Sequence, residues 1–197
     1  TSTNDGPVTP TTTLIRKYSN YGTAEIEPVQ VADVTLFAQR GKRKIREFKF
    51  VGDVNTGGYS APDMTILAEH VTEGGLVQMA FQQEPDSVVW CIRADGTLLG
   101  LTYRREEEVV AWHKHIIGGA FSGGQAVVES IATLPTDTGE DELYMIVKRT
   151  INSVTKRYVE KLKLFDSGNS TTGAFFVDSG LSYSGGSINS LSGLYHL

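Results

Sequence analysis

The chain has 197 residues, 40% of them hydrophobic and 21% charged, the balance of an ordinary globular protein able to bury a real core. A formal net charge of −5 argues against a surface that grips nucleic acid broadly, because phosphate binding needs concentrated Lys and Arg. With Cys91 as the single cysteine there is no intrachain disulfide and no cysteine-rich zinc site, which is compatible with synthesis in a reducing compartment. No apolar run approaches the length of a membrane-spanning helix.

Residues 1–20 open with a run of Thr, Pro, Asp and Gly that holds too few apolar side chains to fold on its own, and they read as a flexible arm or linker. The remainder, 21–197, reads as one repetitive β domain. Its first hairpin is Val34 to Phe50, turning at Arg40-Gly41-Lys42. Met64, Leu67, Ala68 and Val71 then fall at i, i+3, i+4 and i+7, behind Ser60 and Asp63 as a capping box and ahead of Gly74-Gly75. That spacing predicts one short helix. Strands resume at 75–81 and lead into a hairpin from Val88 to Tyr103, whose Asp95-Gly96 pair tolerates the positive φ of a tight turn. Further strands are expected at 109–115 and 127–134, and a third hairpin at 142–149 and 155–164 with its turn near Asn152-Ser153. Short strands are also expected at 175–177 and 191–197.

The three hairpins start near Thr35, Val88 and Glu142, at intervals of 53 and 54 residues. A repeat of that length with three or four antiparallel strands predicts a mainly β fold of propeller-like units, around 25–72, 73–125 and 126–180. A large β-sandwich is the alternative. Three units are too few to close a ring of blades, and the sequence, which starts at Thr1 and stops at Leu197, reads as a piece of a longer chain.

Side chains that carry chemistry are sparse. In Trp112-His113-Lys114-His115, strand alternation puts both histidines on one face. No third residue stands at metal-ligand spacing, so they read as part of a solvated face with Trp112 turned inward. His70, beside the apolar stripe, and His196 are read as structural. Glu106, Glu107 and Glu108 beside Arg104-Arg105 read as a charged turn rather than an acid–base pair, and Cys91 as a packed thiol. No nucleophile elbow, phosphate-cradling loop or dinucleotide fingerprint is present, and neither an enzymatic activity nor a cofactor is expected. The basic residues gather in the first and third hairpins. Arg40, Lys42, Arg43, Lys44, Arg46, Lys156 and Arg157 are therefore the candidate contacts for a polyanion or a partner.

Several strings resemble, in their order, a family of tailed-bacteriophage structural proteins described as tail tubular, nozzle or stabilisation proteins. They include Leu36-Phe-Ala-Gln-Arg-Gly-Lys-Arg-Lys-Ile-Arg-Glu-Phe48, Ala61-Pro-Asp-Met-Thr-Ile-Leu-Ala-Glu-His70 and Phe81-Gln-Gln-Glu-Pro-Asp-Ser-Val-Val-Trp90. Asp95 to Tyr103 with Val109 to His115, and Val147 to Asn152 with Arg157 to Glu160, carry it furthest. The resemblance implies a virion protein of the tail, made in the host cytoplasm and built of propeller-like β domains. Its implied partners are further copies of itself in a ring, the portal or adaptor and other tail proteins, and DNA passing through the channel without sequence preference. It carries no catalytic residues. A β-propeller module that binds a host glycan or nucleic acid is the alternative.

Overall fold

The computed structural model describes residues 9, 17, 19–52 and 58–162. The arm, for the most part, and the strands expected at 175–177 and 191–197 lie outside them. Thirteen strands run through the described residues, and every paired neighbour is antiparallel and follows in chain order. Sheet I holds β1 (Val29–Val31), β2 (Val34–Ala38), β3 (Ile45–Val51) and β4 (Gly58–Ser60). Sheet II holds β5 (Leu76–Gln82), β6 (Val88–Arg93), β7 (Leu98–Arg104) and β8 (Val109–His115). A two-stranded ribbon, β9 (Ala120–Phe121) and β10 (Gly124–Gln125), leads to sheet III: β11 (Val127–Pro135), β12 (Asp141–Ile151) and β13 (Val154–Lys161). The fold is mainly β and antiparallel, as the hairpin pattern predicts.

Each hairpin turn solves its geometry differently. At the β6–β7 turn only Gly96 takes positive φ, at 82°, while the Thr97 carbonyl accepts from Arg93 N–H (3.0 Å) and the Arg93 carbonyl from Gly96 N–H (2.8 Å). That is a three-residue loop ending in a left-handed glycine, not a two-residue turn. Asp95 stands beside it as a side-chain cap, accepting from Thr97 N–H at 3.0 Å. The β12–β13 turn does use two left-handed residues, Asn152 (φ 50°) and Ser153 (φ 63°), as a tight primed turn demands. In the β2–β3 loop the left-handed residue is Lys42 (φ 61°) rather than Gly41.

The middle sheet is buried on both faces. Val89 and Cys91 of β6 and Leu99, Leu101 and Tyr103 of β7 pack with Val34, Leu36, Ala38 and Ile45 of sheet I. The alternating partners Val88, Trp90, Ile92 and Leu98 pack with Val128, Ile131, Leu143, Met145 and Val147 of sheet III. This is why the hairpin reads as a nearly unbroken apolar run: no face of those strands meets water. At roughly 1.5–3 kcal/mol for each fully buried aliphatic side chain, these two interfaces are the main stabilising term.

Backbone contacts fix how the sheets meet. The Gln78 side chain donates to the Ile131 carbonyl (2.8 Å) and accepts from the Ile131 N–H (3.1 Å), next to the irregularity in β11 between Val128 and Ser130. Val128 N–H donates to the Gly96 carbonyl at 2.9 Å, and Leu76 N–H to the Lys42 carbonyl at 2.7 Å. The turns are therefore also the joints between sheets.

The expected helix does not form. Among the described residues there is no helix, and the segment from Asp63 to Gly75 is a staircase of turns. Its backbone bonds run from Ala68 N–H to Thr65, Val71 N–H to Ala68 and Gly75 N–H to Thr72, each spanning three residues rather than four. Asp63 does cap, accepting from Thr65 N–H (2.9 Å) and from its hydroxyl, but it caps a turn. Met64, Ala68 and Val71 face the core as the spacing requires, while Leu67 is 94% exposed. Leu67→Ser is thus expected to leave the unfolding free energy from urea titration within about 0.5 kcal/mol of wild type, as for a surface position. On a helical face the same change would cost far more.

Candidate functional site

The seven cationic candidates do not form one surface. Five lie on the β2–β3 hairpin of sheet I, four of them in its loop, and two on β13 of sheet III, with sheet II between the two sheets. Arg46 is buried: its guanidinium donates to the Ala61 carbonyl (2.6 Å) and to Gln39 (2.7 Å), and lies 3.4 Å from the Tyr21 ring centroid. Lys44 bridges Asp63 (2.9 Å) and Glu69 (2.7 Å). Arg157 lies on Glu129, which also holds Lys148, and these two cations keep the Glu129 carboxyl down at about 2. Arg40, Lys42, Arg43 and Lys156 are exposed. Among the described residues no ion pair engages them, so the cationic surface left for a partner is chiefly the β2–β3 turn.

A cleft of about 800 Å³ opens where the β1–β2 turn, the loop before β6 and the β7–β8 turn meet. Its walls include Asp33, Glu84, Pro85, Tyr103, Arg105 and Glu106. The arginines here are neutralised locally, Arg105 by Asp33 (2.6 Å) and Arg104 by Asp86 (2.7 Å). Glu107 is 3.6 Å from Arg104, and Glu108 takes positive φ (55°) in the turn, as the reading of a charged turn predicts.

Behind the cleft lies a buried contact that residue type alone did not suggest. Glu47 is 5% exposed, and its Oε2 accepts from the Tyr103 hydroxyl at 2.5 Å, with Lys49 Nζ 3.1 Å from Oε1. Burial, and then the Glu47 hydrogen bond, push the Tyr103 phenol far above its ordinary range. The register held the signal. Counting back from the β2–β3 turn sets Glu47 opposite Leu36, on the inward face of the sheet.

The histidine pair departs most from expectation. His113 and His115 do not lie on a solvated face; both are half-buried against Trp90, with ring centroids 5.8 and 5.2 Å from the indole. His113 Nδ1 is 2.7 Å from His115 Nε2, and His113 Nε2 is 3.2 Å from the Thr102 hydroxyl. Trp112 does turn inward as expected, its indole N–H donating to the Met64 carbonyl at 2.9 Å. Because both faces of sheet II are covered, both faces of β8 are in use. Gly100 makes the room: a Cβ there would lie 2.7 Å from both nitrogens of the His113 ring. A glycine inside a strand is the sequence signal of such a close approach.

Cys91 is fully buried, and burial pushes its thiol far up, away from nucleophilic use. Among the described residues no group of three or more His, Cys, Asp or Glu side chains is placed to hold a metal ion. No helix there is long and apolar enough to cross a membrane. No protein-family model matches the chain, and no curated protein matches it.

Proposed function

We propose that this chain is a structural part of a bacteriophage tail nozzle or adaptor, assembling in a ring around the DNA channel. The observation that carries the reading is the segment from Asp95 to Tyr103. It belongs to the strings that resemble the tail family, and it forms the turn and second strand of a hairpin covered on both faces by other meander sheets. Successive meanders stacked face to face are the packing of neighbouring blades in a propeller-like domain. The neutralised arginines and the net charge of −5 suit a protein past which DNA slides, since few free cations remain among the described residues to hold phosphate.

Negative-stain images of the protein mixed with portal and adaptor are expected to show closed rings in cyclic symmetry. Filter binding is expected to give weak duplex DNA retention, lowered further when Arg40, Lys42 and Arg43 are all changed to alanine. Monomers in every image, or tight sequence-specific DNA binding, would sink the proposal.

A further inference from the structure

His113 and His115 occupy an unusual position. They lie on β8, the edge strand of sheet II, and their rings fasten its inner face to Trp90, which is itself held by Gln82 through a 2.7 Å hydrogen bond. The nitrogens facing each other at 2.7 Å accommodate one proton between them and no more. With both rings neutral, one of the facing nitrogens donates to the other and His113 Nε2 pairs with the Thr102 hydroxyl, so every nitrogen in the contact has a partner. A first added proton leaves an imidazolium donating to a neutral ring, so the bridge survives. A second puts N–H against N–H and two positive charges together in a half-buried aromatic site.

Among the described residues, neither ring has a charged partner that would offset that second proton. On β8 itself Lys114 alternates to the opposite face, and the β5 strand carries no charged residue. Arg93 of β6 is paired with Asp95, and Arg104 of β7 with Asp86. On sheet III, Arg149 is paired with Glu160, while Glu129 and Glu142 hold Lys148, Arg157 and Lys161. Burial lowers the proton affinity of His113, and burial together with the His113 charge lowers that of His115.

We propose that His113 and His115 form an acid-sensitive latch that fastens edge strand β8 to the Trp90 face and opens when the second proton binds. The sign follows from linkage. Folded-state affinities below the ordinary imidazole value mean that the opened form binds more protons, so closure is complete above about pH 6.5 and is lost as pH falls. Between the ordinary imidazole value and the second step, each unit of pH drop raises the open population by up to about tenfold for the one extra proton.

NMR titration of the two imidazole Cε1–H resonances between about pH 8 and about pH 4.5, a window around the ordinary value, tests this in the wild-type protein. Two separated steps are expected, both below the ordinary value, with the lower one accompanied by a shift of the Trp90 indole N–H and by loss of exchange protection across 109–115. In His115→Gln, whose amide still donates to His113 Nδ1, that acid-linked loss of protection is expected to disappear. Both rings titrating together at about 6.5 with β8 protection unchanged would overturn the latch. So would an unaltered pH dependence of opening in His115→Gln.

Discussion

Trp90→Ala is expected to lower the unfolding free energy by about 3–5 kcal/mol, the largest loss for any single side chain of the middle sheet. Trp90 is 4% exposed and stands in the interface between sheets II and III, among Val88, Ile92, Leu98 and Met145. Truncation there removes a large apolar surface and leaves a void that three facing strands cannot close by local movement. It also strands the Gln82 side-chain carbonyl, which accepts the indole N–H inside the protein. Trp90→Phe separates the two effects. It keeps most of the volume and loses the donor, so about 1–3 kcal/mol is expected from the unpaired Gln82 oxygen. Urea unfolding followed by far-ultraviolet circular dichroism reads both, with an unchanged slope as the sign that the denatured state is not the cause. A loss under about 1 kcal/mol for the alanine variant would mean that sheet III does not cover this face of sheet II.

The hairpins were legible because their signals are local. Period-two alternation, Asp95-Gly96 and the Asn152-Ser153 turn each act within a few residues, and the strands form where those signals place them. What covers the strands is not local. The apolar run from Val88 to Ile92 fits a doubly buried strand, but nothing in it says which element covers each face. The His113 site was misread for that reason: its partners Trp90, Thr102 and Gly100 come from two other strands, and alternation along β8 alone does not identify them. Glu47 shows the opposite case. Its inward position follows from register counted out from the turn, yet residue type pointed to solvent.

The helix expected through Met64, Leu67, Ala68 and Val71 loses to a competition the spacing does not show. Apolar residues at i, i+4 and i+7 face one side in a chain of three-residue turns as well as in a helix, provided the turns are pinned from outside. Here Trp112 holds the Met64 carbonyl, the Thr72 hydroxyl donates to the Arg43 carbonyl at 2.7 Å, and Arg93 reaches the Val71 carbonyl at 3.0 Å. The first and third take backbone acceptors of the segment that a helix would compete for or reorient, and the second ties its end to the β2–β3 loop. Tertiary hydrogen bonds outweigh a helical preference that is short and closely followed by two glycines.

Those same joints make Gly96→Val the second severe substitution. Gly96 combines three demands in one residue. Its φ of 82° lies where a β-branched side chain is strained, at a cost of roughly 1–2 kcal/mol. The space a Cβ would enter is already filled by Val127, whose Cα is 3.0 Å away, and such overpacking adds about 1–3 kcal/mol. The carbonyl of the same residue receives Val128 N–H, so the turn cannot swing away from the clash without giving up the bond that starts sheet III. Gly96→Ala meets the same φ and the same Cβ contact without the branch, and a smaller loss is expected. An urea series on the two variants is expected to rank valine below alanine below wild type, with the valine variant down by about 3 kcal/mol or more. Equal losses for alanine and valine would assign the whole effect to the φ and the Cβ contact that the two variants share, and none of it to the branch.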